Sequence, residues 1–152
     1  MKKLAVLLFA AVFALAGCGG SSGNLAGYMI IEGDKLYLDE VEIITTDDEA
    51  RIAELKLEPG DMPGGYYIHN PDNKKTSYDL TDKTTFTFVD TNELFIKDRD
   101  GKMTYTTDEK DEFIQHLEES YYDSPPAQKV PFFIQVKDGK VINVEEKIEF
   151  TI

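Results

Sequence analysis

Two turn dipeptides set inside β-rich runs constrain this chain most. Gly33-Asp34 interrupts "GYMIIEGDKLYLDEVEII", residues 27–44. Asp138-Gly139 interrupts "VPFFIQVKDGKVINVEEKIEF", residues 130–150. Such a dipeptide between alternating apolar residues predicts a hairpin, because only residues tolerant of positive φ match the twist of the paired strands. In the first hairpin, alternation turns Leu36, Leu38, Val41 and Ile43 inward, with a bend or bulge at Asp39-Glu40. Between the hairpins, residues 66–69, 76–80 and 84–90 read as strands, with Phe86 and Phe88 on one face. Residues 93–107 read as a third hairpin, turning at residues 98–101.

Two stretches break the two-residue period. "TTDDEARIAEL", from Thr45, predicts a short helix with a Thr46/Glu49 capping box and an apolar face of Ile52 and Leu55. "TTDEKDEFIQHLEESYY", from Thr106, predicts a longer one with a Thr106/Glu109 box. There Phe113, Leu117 and Tyr121 recur every fourth residue, with Ile114 beside them. Pro125-Pro126 ends it. The expected class is α+β, mainly antiparallel β. A small OB-like barrel capped by helices is the first architecture, and an open sheet with two helices on one face is the other.

The N-terminus belongs to a different kind of sequence. Met1-Lys2-Lys3 precedes residues 4–17, "LAVLLFAAVFALAG", which carry no charged or polar side chain. A basic start and an apolar run of this length describe a secretory signal peptide. The run is shorter than the roughly 20 residues of a membrane-spanning helix. It ends in Leu15-Ala16-Gly17-Cys18, which resembles the lipobox of bacterial lipoproteins at all four positions. The resemblance implies cleavage before Cys18 and a diacylglycerol thioether on its sulfur. Two or more acyl chains hold a protein stably on a bilayer. Cys18 is the only cysteine, so the chain forms no internal disulfide. Residues 19–27, "GGSSGNLAG", are rich in Gly and Ser and read as a flexible tether. The expected organisation is a signal peptide at 1–17, a lipidated cysteine and linker at 18–26, and one β-rich domain at 27–152. The expected place is the outer face of the cell membrane, or the outer membrane in a Gram-negative cell.

A second resemblance spans most of the mature chain. "LDEVEII", "DDEARIAELKL", "DMPGGYYIHNP" and "VPFFIQVKDGKVINVEE", in that order, resemble a small domain of Gram-positive extracytoplasmic proteins without an assigned activity. It implies no site residue and favours a Gram-positive source.

Charge narrows the partners. The chain has 16 Lys and Arg against 29 Asp and Glu. Without Lys2 and Lys3 the balance is 14 against 29, a net charge of −15. That field repels nucleic acid and anionic lipid and admits cations, basic peptides or uncharged glycans. An envelope protein, peptide or glycan is the expected partner beside the membrane itself, and no cofactor is implied.

Signs of chemistry are few. No G-x-S-x-G elbow is present, and Pro63-Gly64-Gly65 lacks the Lys-Ser/Thr and helix of a phosphate loop. Asp98-Arg99-Asp100-Gly101 has part of a calcium loop, but aligned on Gly101 its first and twelfth positions are Ile96 and Thr107. A hairpin turn explains it better. Tyr66, Tyr67, Tyr121 and Tyr122 are candidates for an aromatic binding surface. The sharpest pattern is Glu112, His116 and Glu119, at i, i+4 and i+7 on the second helix, a spacing able to hold a divalent metal ion from one face. Metal scavenging is therefore the alternative to a non-enzymatic binding function. A pocket holding His69 or His116 beside a carboxylate would instead point to a hydrolase.

Overall fold

The computed structural model describes residues 22–98 and 100–151. The described chain runs β1 (Gly23–Glu32), β2 (Lys35–Glu40), β3 (Glu42–Thr45), α1 (Glu49–Leu55), β4 (Tyr66–His69), β5 (Lys75–Asp79), β6 (Thr85–Val89), β7 (Thr104–Thr107), α2 (Lys110–Ser120), β8 (Phe132–Lys137) and β9 (Lys140–Glu145). It is an α+β fold. Seven strands form one mainly antiparallel sheet in the order β5-β2-β1-β8-β9-β6-β7, and β3 and β4 form a separate pair.

The two hairpins marked by their turn dipeptides are both present. Asp138 and Gly139 have φ of 52° and 74°, the left-handed values a tight two-residue turn needs. β1 is long enough to serve two neighbours. Its first half pairs with β8, from Gly23 opposite Val136 to Gly27 opposite Phe132. Its second half pairs with β2, from Gly27 opposite Glu40 to Glu32 opposite Lys35. Gly27 is the changeover. A Cβ built there would sit 2.3 Å from the Asp39 carbonyl oxygen, so only glycine lets the strands approach at the bend.

The sheet also closes on itself. Asp79 of β5 lies opposite Lys140 of β9, which completes a ring of β1, β2, β5, β9 and β8 through a single-residue bridge. In one direction from Lys140 the ladders pass Asp79 and Lys35 to Glu32. In the other they pass Lys137, one residue beyond the Val136–Gly23 pair. The walk returns to β1 displaced by about ten residues, which requires steeply tilted strands. The other two strands of this sheet hang from the ring, β6 running parallel to β9 and β7 antiparallel to β6.

The core fills the space between the ring and α2. Phe113 of α2 stacks on Phe86 at 4.8 Å and meets Phe132 edge-on at 6.0 Å. Leu36, Leu38, Ile134 and Val144 complete the same cluster. α2 therefore buries the face expected of Phe113 and Leu117.

Several expectations change. The tether is shorter than residues 18–26: residues 23–26 are already paired in β1, and Ser22 Oγ accepts the Asp138 N–H at 2.9 Å. Residues 93–97 form no strand, so the third hairpin is absent and β7 pairs with β6 instead. The cause is Asp90, 1% exposed, whose carboxylate accepts the N–H groups of Leu94, Phe95 and Ile96 at 2.9, 3.0 and 2.7 Å. Those donors are then lost to a ladder. Neither capping box forms. Asp48 is the N-cap of α1, and its carboxylate turns back to the N–H and hydroxyl of Thr45. Thr106 Oγ1 bonds Thr87 Oγ1 across the strands, and Thr107 accepts the Glu109 N–H. α1 buries no residue; Arg51 ties it to Glu42 through two contacts of 2.8 and 2.6 Å. Val41 and Ile44, not Ile43, are buried, because the break before β3 resets the alternation.

A candidate site around His116 and Glu146

α2 turns more than apolar side chains inward. At 100° per residue, His116 falls only 60° from Phe113, and Ser120 lies between His116 and Leu117 on the same stripe. His116 is accordingly 2% exposed and stacks on Phe88 at 4.2 Å. Just past β9, the chain brings Glu146 beneath it, 4% exposed. One Glu146 oxygen, Oε2, accepts the Val89 N–H at 2.8 Å and lies 2.9 Å from His116 Nε2. The other, Oε1, accepts a hydrogen bond from the Tyr121 hydroxyl. Ser120 Oγ lies 3.2 Å from His116 Nδ1. Four side chains and one backbone donor thus join α2, the end of β6 and the segment after β9.

Burial by itself would raise the Glu146 carboxyl pKa. Hydrogen bonds from His116, Tyr121 and Val89, with the charge of His116, reverse that and hold it below the ordinary carboxylate range. Tyr121 moves the other way: burial first, then the adjacent Glu146 charge, push its hydroxyl upward. The group is an ionised carboxylate saturated with donors. Beside it is a cavity of about 260 Å³, lined by His116, Ser120, Tyr121, Glu146, Ile148 and Thr151 among others.

A hydroxyl, an imidazole and a carboxylate in line are the parts of a nucleophilic relay. Two features favour a different use. Ser120 ends α2, where the helix presents carbonyl oxygens and negative potential, the opposite of what a developing oxyanion needs. Glu146 divides its bonds among three donors, two at the C-terminal end of α2 and one at the end of β6, which is the economy of a structural clamp. Comparison of the chain with protein-family models, with curated proteins and with solved structures finds no match.

The proposed metal face does not assemble. Both ring nitrogens of His116 face partners inside the protein. Glu112 accepts the Tyr105 hydroxyl at 3.1 Å, and Glu119 accepts Gln115 Nε2 at 3.3 Å. The i, i+4, i+7 spacing is real, but it straddles the boundary between core and solvent. Among the described residues, no group of three His, Cys, Asp or Glu side chains is placed to hold a metal ion. His69 stands opposite Glu42 in the β3–β4 pair. Tyr66 packs edge-on against Phe150, Tyr121 bonds Glu146, and Tyr122 projects fully into solvent. Asp98, Asp100 and Gly101 lie in a connection, with φ of 36° and 78° at the last two. Cys18 lies outside the described residues.

Sequence reasoning missed Glu146, whose partner is 30 positions away and carries no local signal. The burial of His116 was readable from its angle to Phe113.

Proposed function

We propose that this chain is a lipoprotein anchored through Cys18 to the outer face of the cell membrane. Its folded domain is a non-enzymatic binding or accessory module for an envelope protein, peptide or glycan. In a Gram-positive cell the host bilayer is the cell membrane; in a Gram-negative cell it is the outer membrane. The observation that carries the reading is Leu15-Ala16-Gly17-Cys18 at the end of the uncharged run. A folded strand that begins at Gly23, just after the cysteine, agrees with cleavage there and with a domain that starts beside the anchor. The net charge of −15 supports partners other than nucleic acid.

Fractionation of cells making the full chain, with and without Cys18→Ser, tests the anchor. The wild type should sediment with membranes and be released by detergent. The variant should lose that behaviour, and equal sedimentation of both would refute the proposal. Cross-linking on intact cells then tests for a partner.

A further inference from the structure

Among the described residues, two buried side-chain oxygens have no hydrogen-bond partner: Asp39 Oδ1 and Asn70 Oδ1. They belong to one pair of side chains, because Asn70 Nδ2 donates to Asp39 Oδ2 at 3.1 Å. That bond keeps the two orphaned oxygens within about 8 Å of each other. Both are acceptors, and a buried acceptor left without a donor is costly unless another group serves it.

The neighbouring side chains do not serve them. Asp39 lies on the face of β2 opposite Leu36 and Leu38, between Tyr28 of β1 and Lys75 of β5. Burial first, then the Asp39 charge, push the Tyr28 hydroxyl pKa upward. Lys75 is exposed and makes no hydrogen bond to the buried oxygen. Glu40 and Pro71, which follow the pair in sequence, border a hollow of about 310 Å³ together with Glu42, Asp72 and Lys74. Glu42 is held by Arg51, and Asp72 accepts the Lys74 N–H. Three carboxylates against one ammonium group leave this hollow a net negative potential, which concentrates cations.

A bridging water can donate to both orphaned oxygens, but it leaves the carboxylate charge uncompensated. A cation serves both needs. Oxygen donors alone select a hard ion over zinc or copper. One carboxylate and one amide, completed by water, make an irregular shell that Ca²⁺ accepts and Mg²⁺, with its strict octahedron, does not.

We infer that Asp39 and Asn70 hold one calcium ion. Asp39 Oδ1 and Asn70 Oδ1 are its protein ligands, directly or through one bound water, and water in the adjoining hollow fills the remaining positions. A single carboxylate sets the affinity near the roughly millimolar level of extracellular modules. The ion ties β2 of the seven-stranded sheet to the end of β4, and so fastens the separate β3–β4 pair. The site depends on neither the anchor nor a partner.

The test uses the purified full chain, stripped with EDTA and dialysed. Calcium at about 10 mM should raise Tm by about 4 °C, and at about 10 μM by less than about 1 °C. Magnesium at about 10 mM reports general screening of the acidic charge and should give no more than about half the calcium shift. Asp39→Asn should erase the difference between the two ions. Asn70→Ala should shrink it, and serves where Asp39→Asn does not fold. Asp72→Asn, an exposed carboxylate of the same loop, should preserve it. Terbium reads the site in the folded protein, since the chain has no Trp and Tyr28 stands opposite Asp39 to sensitise emission. Calcium should displace that emission with a midpoint of about 1 mM, and Asp39→Asn or Tyr28→Phe should lower it at least about threefold. Equal calcium and magnesium shifts that survive Asp39→Asn would overturn the inference and assign them to charge screening. Absence of both a calcium shift and displaceable terbium emission would overturn it as well, with water alone on the two oxygens.

Discussion

Replacing Glu146 measures what the buried cluster contributes. Glu146→Gln keeps the size and shape of the side chain and removes its charge. The carboxylate serves three donors: the Val89 N–H, His116 Nε2 and the Tyr121 hydroxyl. The amide carbonyl can serve two. Its NH₂ group then faces the third, and the tyrosine hydroxyl must rotate to accept. Each bond to a charged acceptor exceeds a neutral one by about 1 kcal/mol, so the loss is about 2–3 kcal/mol. At roughly 3 °C per kcal/mol for a domain of this size, Tm falls by about 6–9 °C. Glu146→Ala leaves all three donors unserved and should cost about 3–5 kcal/mol, even with water entering from the adjoining cavity. The pH dependence has a defined sign. A carboxyl with a lowered pKa in the folded state adds stability above its unfolded value, near 4.5, and loses it as pH falls through the folded value. The gap between wild type and Glu146→Gln should therefore be full at pH 7 and shrink on acidification below about pH 4.5. Thermal melting by circular dichroism across that range provides the assay. A Glu146→Gln variant melting within about 1 °C of wild type at pH 7 would refute the reasoning. So would a gap that persists undiminished as the pH is lowered through the folded pKa of Glu146.

Three further outcomes follow from the same geometry. Gly27→Ala drives a Cβ against the Asp39 carbonyl oxygen and should cost at least about 2 kcal/mol in chemical denaturation, far more than a glycine-to-alanine change in an open strand. Asp90→Ala unties the N–H groups of Leu94, Phe95 and Ile96 and should lower stability by about 3 kcal/mol, with hydrogen exchange rising at those amides first. Because Glu112, His116 and Glu119 are turned to separate partners, micromolar zinc or calcium should move the melting temperature by less than about 1 °C.

The parts of this fold that were legible in the sequence are those whose cause is local. Asp138-Gly139 and Gly33-Asp34 announce their hairpins because the turn residues and the alternation lie within a few positions of each other. The period of Phe113 and Leu117 announces the buried face of α2 for the same reason. What escaped is decided by distant groups. Residues 93–97 have β-rich composition, yet the side chain of Asp90 takes their backbone donors first. The parallel pairing of β6 with β9 joins residues 58 positions apart, and no turn residue signals it. The role of Gly27 emerges only when both neighbours of β1 are known. His116 misled because its spacing to Glu112 and Glu119 matches a ligand set, while its burial follows from its angle to Phe113. Glu146 sits in the acidic run of residues 145–149, and only the fold separates it from the solvated charges around it.

Cys18 carries the proposed anchor. Intact-mass and peptide mass spectrometry of the protein extracted from membranes reads its N-terminus directly. The expected result is a mature chain that starts at Cys18, with a diacylglycerol mass on the sulfur, and loss of both features in Cys18→Ser. A mature chain cleaved elsewhere, or one that starts at Cys18 with a free thiol, would contradict it.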